Sequence, residues 1–126
     1  MRRWIDVRDA SWTPAAVDAD QVAELFTMNP GEMLLGMAVK PTVQSGGTTN
    51  STVIIGDGTD PNGCFEIGEL DLEAMVVDTW VNGRGAFFQG GRYYTVTDTI
   101  DVTYVNNTEG VIKPAFDARI WVIRLP

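Results

Sequence analysis

The last third of the chain constrains its fold more than any other stretch. Residues 92–105 carry Ile100, Val102 and Tyr104 in alternation with Asp101 and Thr103. That period of two is what a strand shows when one face is buried and the other is wet. The closing run, residues 115–125, differs, because Ile120, Trp121, Val122 and Ile123 are consecutive and apolar. A strand of that kind offers apolar surface to both faces. It is expected to be covered by its own core on one side and by something else on the other. Both runs read as sheet, and neither contains a group suited to chemistry.

The rest of the chain agrees with that class. At 126 residues it is expected to be one domain that can bury a core without staples. Its 13 glycines, with many Thr, Val and Asn residues, favour short strands and tight turns. A net charge of -8 repels a phosphate backbone and an anionic membrane surface, so neither nucleic acid nor membrane is expected as a partner. No apolar run approaches the about 20 residues of a membrane span, and residues 1–6 lack the apolar core of a signal peptide, so a cytosolic start is expected. Cys64 is the single cysteine and there is no histidine. Intrachain disulfides, Ser-His-Asp and Cys-His machinery and the usual zinc sites are therefore excluded. An enzyme built on two carboxylates or a lysine is not.

Along the chain, residues 1–16 place Trp4, Ile5, Val7 and Trp12 among charged residues and end near Pro14. They read either as an extended arm, leaving residues 17–126 as the globular domain, or as an ordinary first strand tied down by its tryptophans. Residues 22–28 favour a strand over a helical turn, because the turn signal Asn29-Pro30-Gly31 follows at once. A second apolar run, residues 33–39, is expected to stop at Lys40-Pro41, and residues 52–56 form a short buried strand. A single helical turn is expected at residues 70–75, packed by Leu70, Leu72 and Met75. Roughly seven or eight short strands separated by turns predict an all-β fold, an antiparallel β-sandwich of jelly-roll-like type.

The candidate chemical constellations each have a plainer reading. Residues 57–63, Asp-Gly-Thr-Asp-Pro-Asn-Gly, are rich in oxygen, but a calcium loop wants a glutamate at its twelfth position and Gly68 stands there; a turn is expected. Asp57 with Asp60, and Asp98 with Asp101, could be carboxylate pairs, yet a turn former and a solvent-facing strand residue explain them equally. The aromatic cluster Trp80, Phe87, Phe88, Tyr93 and Tyr94 could be a sugar platform, a core or an oligomer interface. Within each adjacent pair a strand points one ring inward and leaves the other for a partner. Gly83, Gly85, Gly90 and Gly91 are turn glycines, since no Lys-Ser or Lys-Thr follows. Cys64 reads as a buried apolar thiol. No cofactor or metal site is expected.

The order of motifs carries a resemblance. Residues 53–63 (VIIGDGTDPNG), 85–94 (GAFFQGGRYY), 98–103 (DTIDVT) and 120–123 (IWVI) resemble small virion proteins of tailed bacteriophages, over roughly residues 22–125. The N-terminal residues with Trp4 and Trp12 lie outside it. The members resembled are head decoration, or cement, proteins: β-rich oligomers, commonly trimers, that sit on the outer capsid surface and stabilise the shell. The resemblance implies a non-enzymatic structural protein made in the host cytoplasm and carried on the virion. Its partners would be the major capsid protein and further copies of itself. Candidate interface residues are Trp4, Trp12, Phe88, Tyr94 and Trp121, because large aromatics contribute most to such contacts. Two rival classes remain: a tail, neck or fibre component whose aromatics hold a host glycan, and a carboxylate hydrolase acting on cell-wall polymer.

Overall fold

The computed structural model of the chain describes residues 5–15, 19–46, 51–71, 74–105 and 112–125. Two antiparallel sheets pack as a sandwich. The larger is built from β1 (Ile5–Trp12), β8 (Ala115–Arg124), β3 (Glu32–Val43) and β5 (Val81–Asn82), in that order, with β6 (Arg92–Tyr93) pairing the other end of β3. The smaller has the order β2 (Gln21–Met28), β7 (Asp98–Val105), β4 (Thr52–Gly56). A 3-10 turn, Ala86–Gln89, lies between β5 and β6.

Alternation does what the sequence leads one to expect in the closing strands. Ile100, Val102 and Tyr104 of β7 face Phe116, Ala118, Ile120 and Val122 of β8 across the core, all buried. Trp12 joins them: its ring centroid lies 4.9 Å from that of Phe116 and 5.5 Å from that of Tyr104, so it ties the two sheets together. Residues 5–12 are thus a strand of the larger sheet, paired in register with β8 from Ile5–Ile123 to Trp12–Phe116. An arm could lie only N-terminal to that, and Trp4 and residues 16–18 fall outside the described residues.

Bulges explain where simple alternation fails. Ala23 and Leu25 of β2 lean on the core, but so do Phe26 and Met28. The pairing with β7 skips Leu25, and this extra residue reverses which alternate positions point inward. Val22 is consequently turned out, 70% exposed. β3 skips Leu35 and Thr42 in the same way. It also runs through Pro41 to Val43 instead of stopping at Lys40-Pro41. The Pro41 carbonyl accepts from Asp78 N at 2.9 Å, so this residue's backbone faces away from β8, on the side where β5 has already ended. A missing N–H is harmless there. Glu69 N donates to Glu66 O and Ala74 N to Asp71 O, and Leu70 and Met75 are buried as anticipated; residues 72 and 73, in the middle of the expected helical turn, lie outside the described residues.

Candidate interaction surface

The outer face of the larger sheet is built from the alternate residues that do not enter the core, and strand register arranges them in rows. Ile5 pairs with Ile123, Ile123 with Met33, and Met33 with Tyr93, so four apolar side chains from β1, β8, β3 and β6 lie side by side. The next row is Val7, Trp121 and Gly36. With strands about 4.8 Å apart and alternate residues about 6.7 Å apart, the two rows span roughly 14 by 7 Å between Cα atoms. Ile5, Val7 and Tyr93 are 58%, 54% and 44% exposed. Trp121, Ile123 and Met33 are half-buried. Trp121 Cε3 lies 3.6 Å from where a Cβ of residue 36 would stand, so the indole covers the gap that glycine leaves. The solvent side of an antiparallel sheet is ordinarily polar. A contiguous apolar patch on it makes this face the candidate contact surface.

Two further rows continue the same face with opposite character. Arg119 Nε and Nη2 donate to Asp9 Oδ1 and Oδ2 at 2.7 and 3.2 Å, and Ser11 Oγ donates to Asp117 Oδ1 at 2.8 Å. Hydrogen bonding to Arg119 holds the Asp9 carboxyl below its ordinary range. Trp80 lies over these rows, its ring centroid 5.3 Å from Lys40 Nζ and 4.9 Å from Arg119 Cζ. Ala38, also on this face, is only 2% exposed.

The aromatic residues singled out in the sequence separate into different places. Trp121 is on the outer face. Trp12 is 4% exposed and Tyr94 3% exposed, both inside the sandwich. Phe88 is half-buried against the core, with its ring packed on the backbone at Gly83. Of the Tyr93–Tyr94 pair it is Tyr93 that faces outward. The physical reason is a polar anchor: the Tyr94 hydroxyl donates to Asp57 Oδ2 at 2.9 Å, inside the core. Burial, then that bond, push the Tyr94 hydroxyl well above the usual tyrosine range.

Asp57 is where a carboxylate-based active site or a cation loop had to be sought. It is buried, and both its oxygens are occupied: Oδ1 accepts from Thr59 N and Asp60 N, each at 2.9 Å, and Oδ2 accepts from Tyr94 and from Arg92 Nε at 3.1 Å. This is an Asx turn locked by an ion pair. Asp98 Oδ1 accepts from Thr99 N at 2.8 Å and Gly58 N at 3.4 Å, and Asp101 accepts from the Thr99 hydroxyl at 2.7 Å. Among the described residues no three His, Cys, Asp or Glu side chains are grouped so as to hold a metal. Cys64 is buried, and burial, then Asp57, push its thiol far above the reactive range.

One buried carboxylate escaped the sequence reading. Glu32, at the start of β3, is fully buried and accepts from Asn29 N at 2.7 Å, from Arg8 through both Nη1 and Nη2, and from Arg124 Nη2 at 3.4 Å. Hydrogen bonding to Arg8 outweighs desolvation and lowers the Glu32 carboxyl to about 2. The only hint in the sequence is a lone glutamate between a turn signal and an apolar run.

These features define an antiparallel β-sandwich whose larger sheet carries an apolar patch over part of its outer face. The chain is similar in fold to a chain of the solved capsid asymmetric unit of cyanophage Pam1, with a TM-score of 0.64 and 15% identity, over 98% of this chain and 85% of that one. No protein-family model and no curated protein matches the sequence.

Proposed function

We propose that this chain is a non-enzymatic structural protein of a bacteriophage head: a decoration protein that binds the outer capsid surface and stabilises the shell. The observation that carries the reading is the pair of apolar rows centred on Trp121, placed on a sheet face that a freestanding sandwich would keep polar. Within the rows Ile5, Val7 and Tyr93 are 58%, 54% and 44% exposed. Burying an apolar patch of ~400 Å², a size usual for functional patches, yields about 10 kcal/mol at about 25 cal/mol/Å², which is comparable to the cost of immobilising one molecule on another. One contact alone is therefore weak, and many copies on a repeating shell give the avidity that makes it hold.

Three further observations support it. The fold likeness is to a chain of similar length in a phage capsid asymmetric unit. The two buried carboxylates among the described residues, Asp57 and Glu32, are occupied by donors within the chain. The acidic balance of -8 keeps the protein off packaged nucleic acid. Partners are then the major capsid protein and other copies of this chain, with a trimer as the arrangement that the sequence resemblance implies. The test uses particles stripped of the protein. Adding the purified chain back should restore sedimenting, saturable binding and raise the temperature at which the shell opens. Shells that open at the same temperature with and without it refute the role.

A further inference from the structure

We propose that the cleft beside Trp80 binds a neutral pyranose-based oligosaccharide, an activity separate from shell binding. Trp80 is 39% exposed and is the wall shared by two open clefts, of about 720 Å³ and about 270 Å³. Lys40 and Arg119 stand diagonally on neighbouring strands of one sheet face, and both underlie the indole. Both cations sit against the ring, and Trp80 still keeps 39% of its surface exposed. The larger cleft is lined by Trp80 together with Glu66, Asn82 and Arg84, and by Ile67 and Val81. The side chains of Glu66, Asn82 and Arg84 are not engaged within the described residues, whereas Glu69 at the cleft wall is, accepting from Arg84 N at 2.7 Å and from Glu66 N.

A cleft that combines an indole with a carboxylate, an amide and a guanidinium matches one ligand chemistry closely. A hexopyranose has a face of C–H groups, weakly positive, which suits the negative face of an indole. Its equatorial rim of hydroxyls both donates and accepts, which suits Glu66, Asn82 and Arg84 together. A polyanion is disfavoured by Glu66, Glu69 and the overall charge of -8.

The test titrates the whole protein with cellotetraose, chitotetraose, maltotetraose and β-1,4-galactotetraose, each to about 10 mM, following tryptophan fluorescence and amide chemical shifts. The inference expects saturable binding of at least one of the four, weakened tenfold or more in Trp80→Ala and several-fold in Arg84→Ala. Arg84 is on the surface, so that variant keeps its fold if Trp80→Ala does not. Trp121→Ser should bind the sugar as the parent does, which separates this site from the shell-binding face. No saturation with any of the four, or binding that survives Trp80→Ala, overturns the inference. Loss of shell binding in Trp80→Ala without any sugar binding assigns the cleft to the capsid instead and also overturns it.

Discussion

Glu32 should make this protein acid-sensitive in a way that a single substitution removes. Its carboxylate joins β1 through Arg8, the turn before β3 through Asn29, and the end of β8 through Arg124. Lowering a carboxyl from 4.5 to about 2 on folding corresponds to about 3 kcal/mol of stability. Because the folded-state value is the lower one, that stabilisation is complete above about pH 5 and is lost as pH falls towards 2. Other carboxylates titrate over the same range, so the informative quantity is the difference between the parent and Glu32→Gln. At neutral pH the variant should be about 3 kcal/mol less stable, since an Arg8–carboxylate pair with one partner buried is broken. For a chain of this size that is roughly 10 °C in melting temperature. Urea unfolding followed by tryptophan fluorescence at pH 7, 4 and 2.5 reads both effects. The gap between parent and variant should close as pH falls. A gap that stays constant from pH 7 to 2.5 refutes the argument, because it would mean the carboxylate charge carries no stability.

Three further outcomes test the packing. Trp12→Ala should destabilise the isolated chain by about 3–5 kcal/mol in denaturant unfolding, as a buried ring bridging two sheets does, and not merely weaken assembly. Tyr104→Phe should be neutral or stabilising by up to about 1 kcal/mol in the same measurement, since the Tyr104 hydroxyl is buried with no partner among the described residues. Gly63→Ala should cost about 1–3 kcal/mol, because a Cβ there would sit 2.3 Å from the Phe87 ring, itself held under Arg92. Thermal denaturation of this variant with Phe87→Leu should recover part of the loss if the clash is the cause.

The all-β class and the sandwich were legible because alternation in β7 and the doubled apolar run in β8 are properties of a few adjacent residues. Trp121 was found for the same reason: a run with no polar position must put one large side chain outside. What was not legible depended on registers and on distant partners. Val22, Glu24 and Phe26 look like one face of a strand, and only the bulge at Leu25, set by pairing with β7, separates them. Tyr93 and Tyr94 cannot be told apart locally, since β6 is two residues long and the choice is made by Asp57, 37 positions away. Whether Trp12 belongs to an arm or to a first strand stays open until β8 is known to pair with residues 5–12. Glu32 shows locally only as a glutamate between a turn signal and an apolar run, because its charged partners, Arg8 and Arg124, come from both ends of the chain.

Trp121→Ser, measured twice, bears most directly on the proposed role. The indole lies on the outer face over Gly36, so its loss should cost the isolated chain only about 1–2 kcal/mol in denaturant unfolding. As the centre of a docking patch it should cost at least about 2 kcal/mol in binding, a loss of roughly 30-fold in affinity for stripped capsids in a sedimentation assay. A folded variant that no longer coats the shell is the predicted result. A variant that coats it as well as the parent, or a chain that unfolds when the indole is removed, contradicts the account.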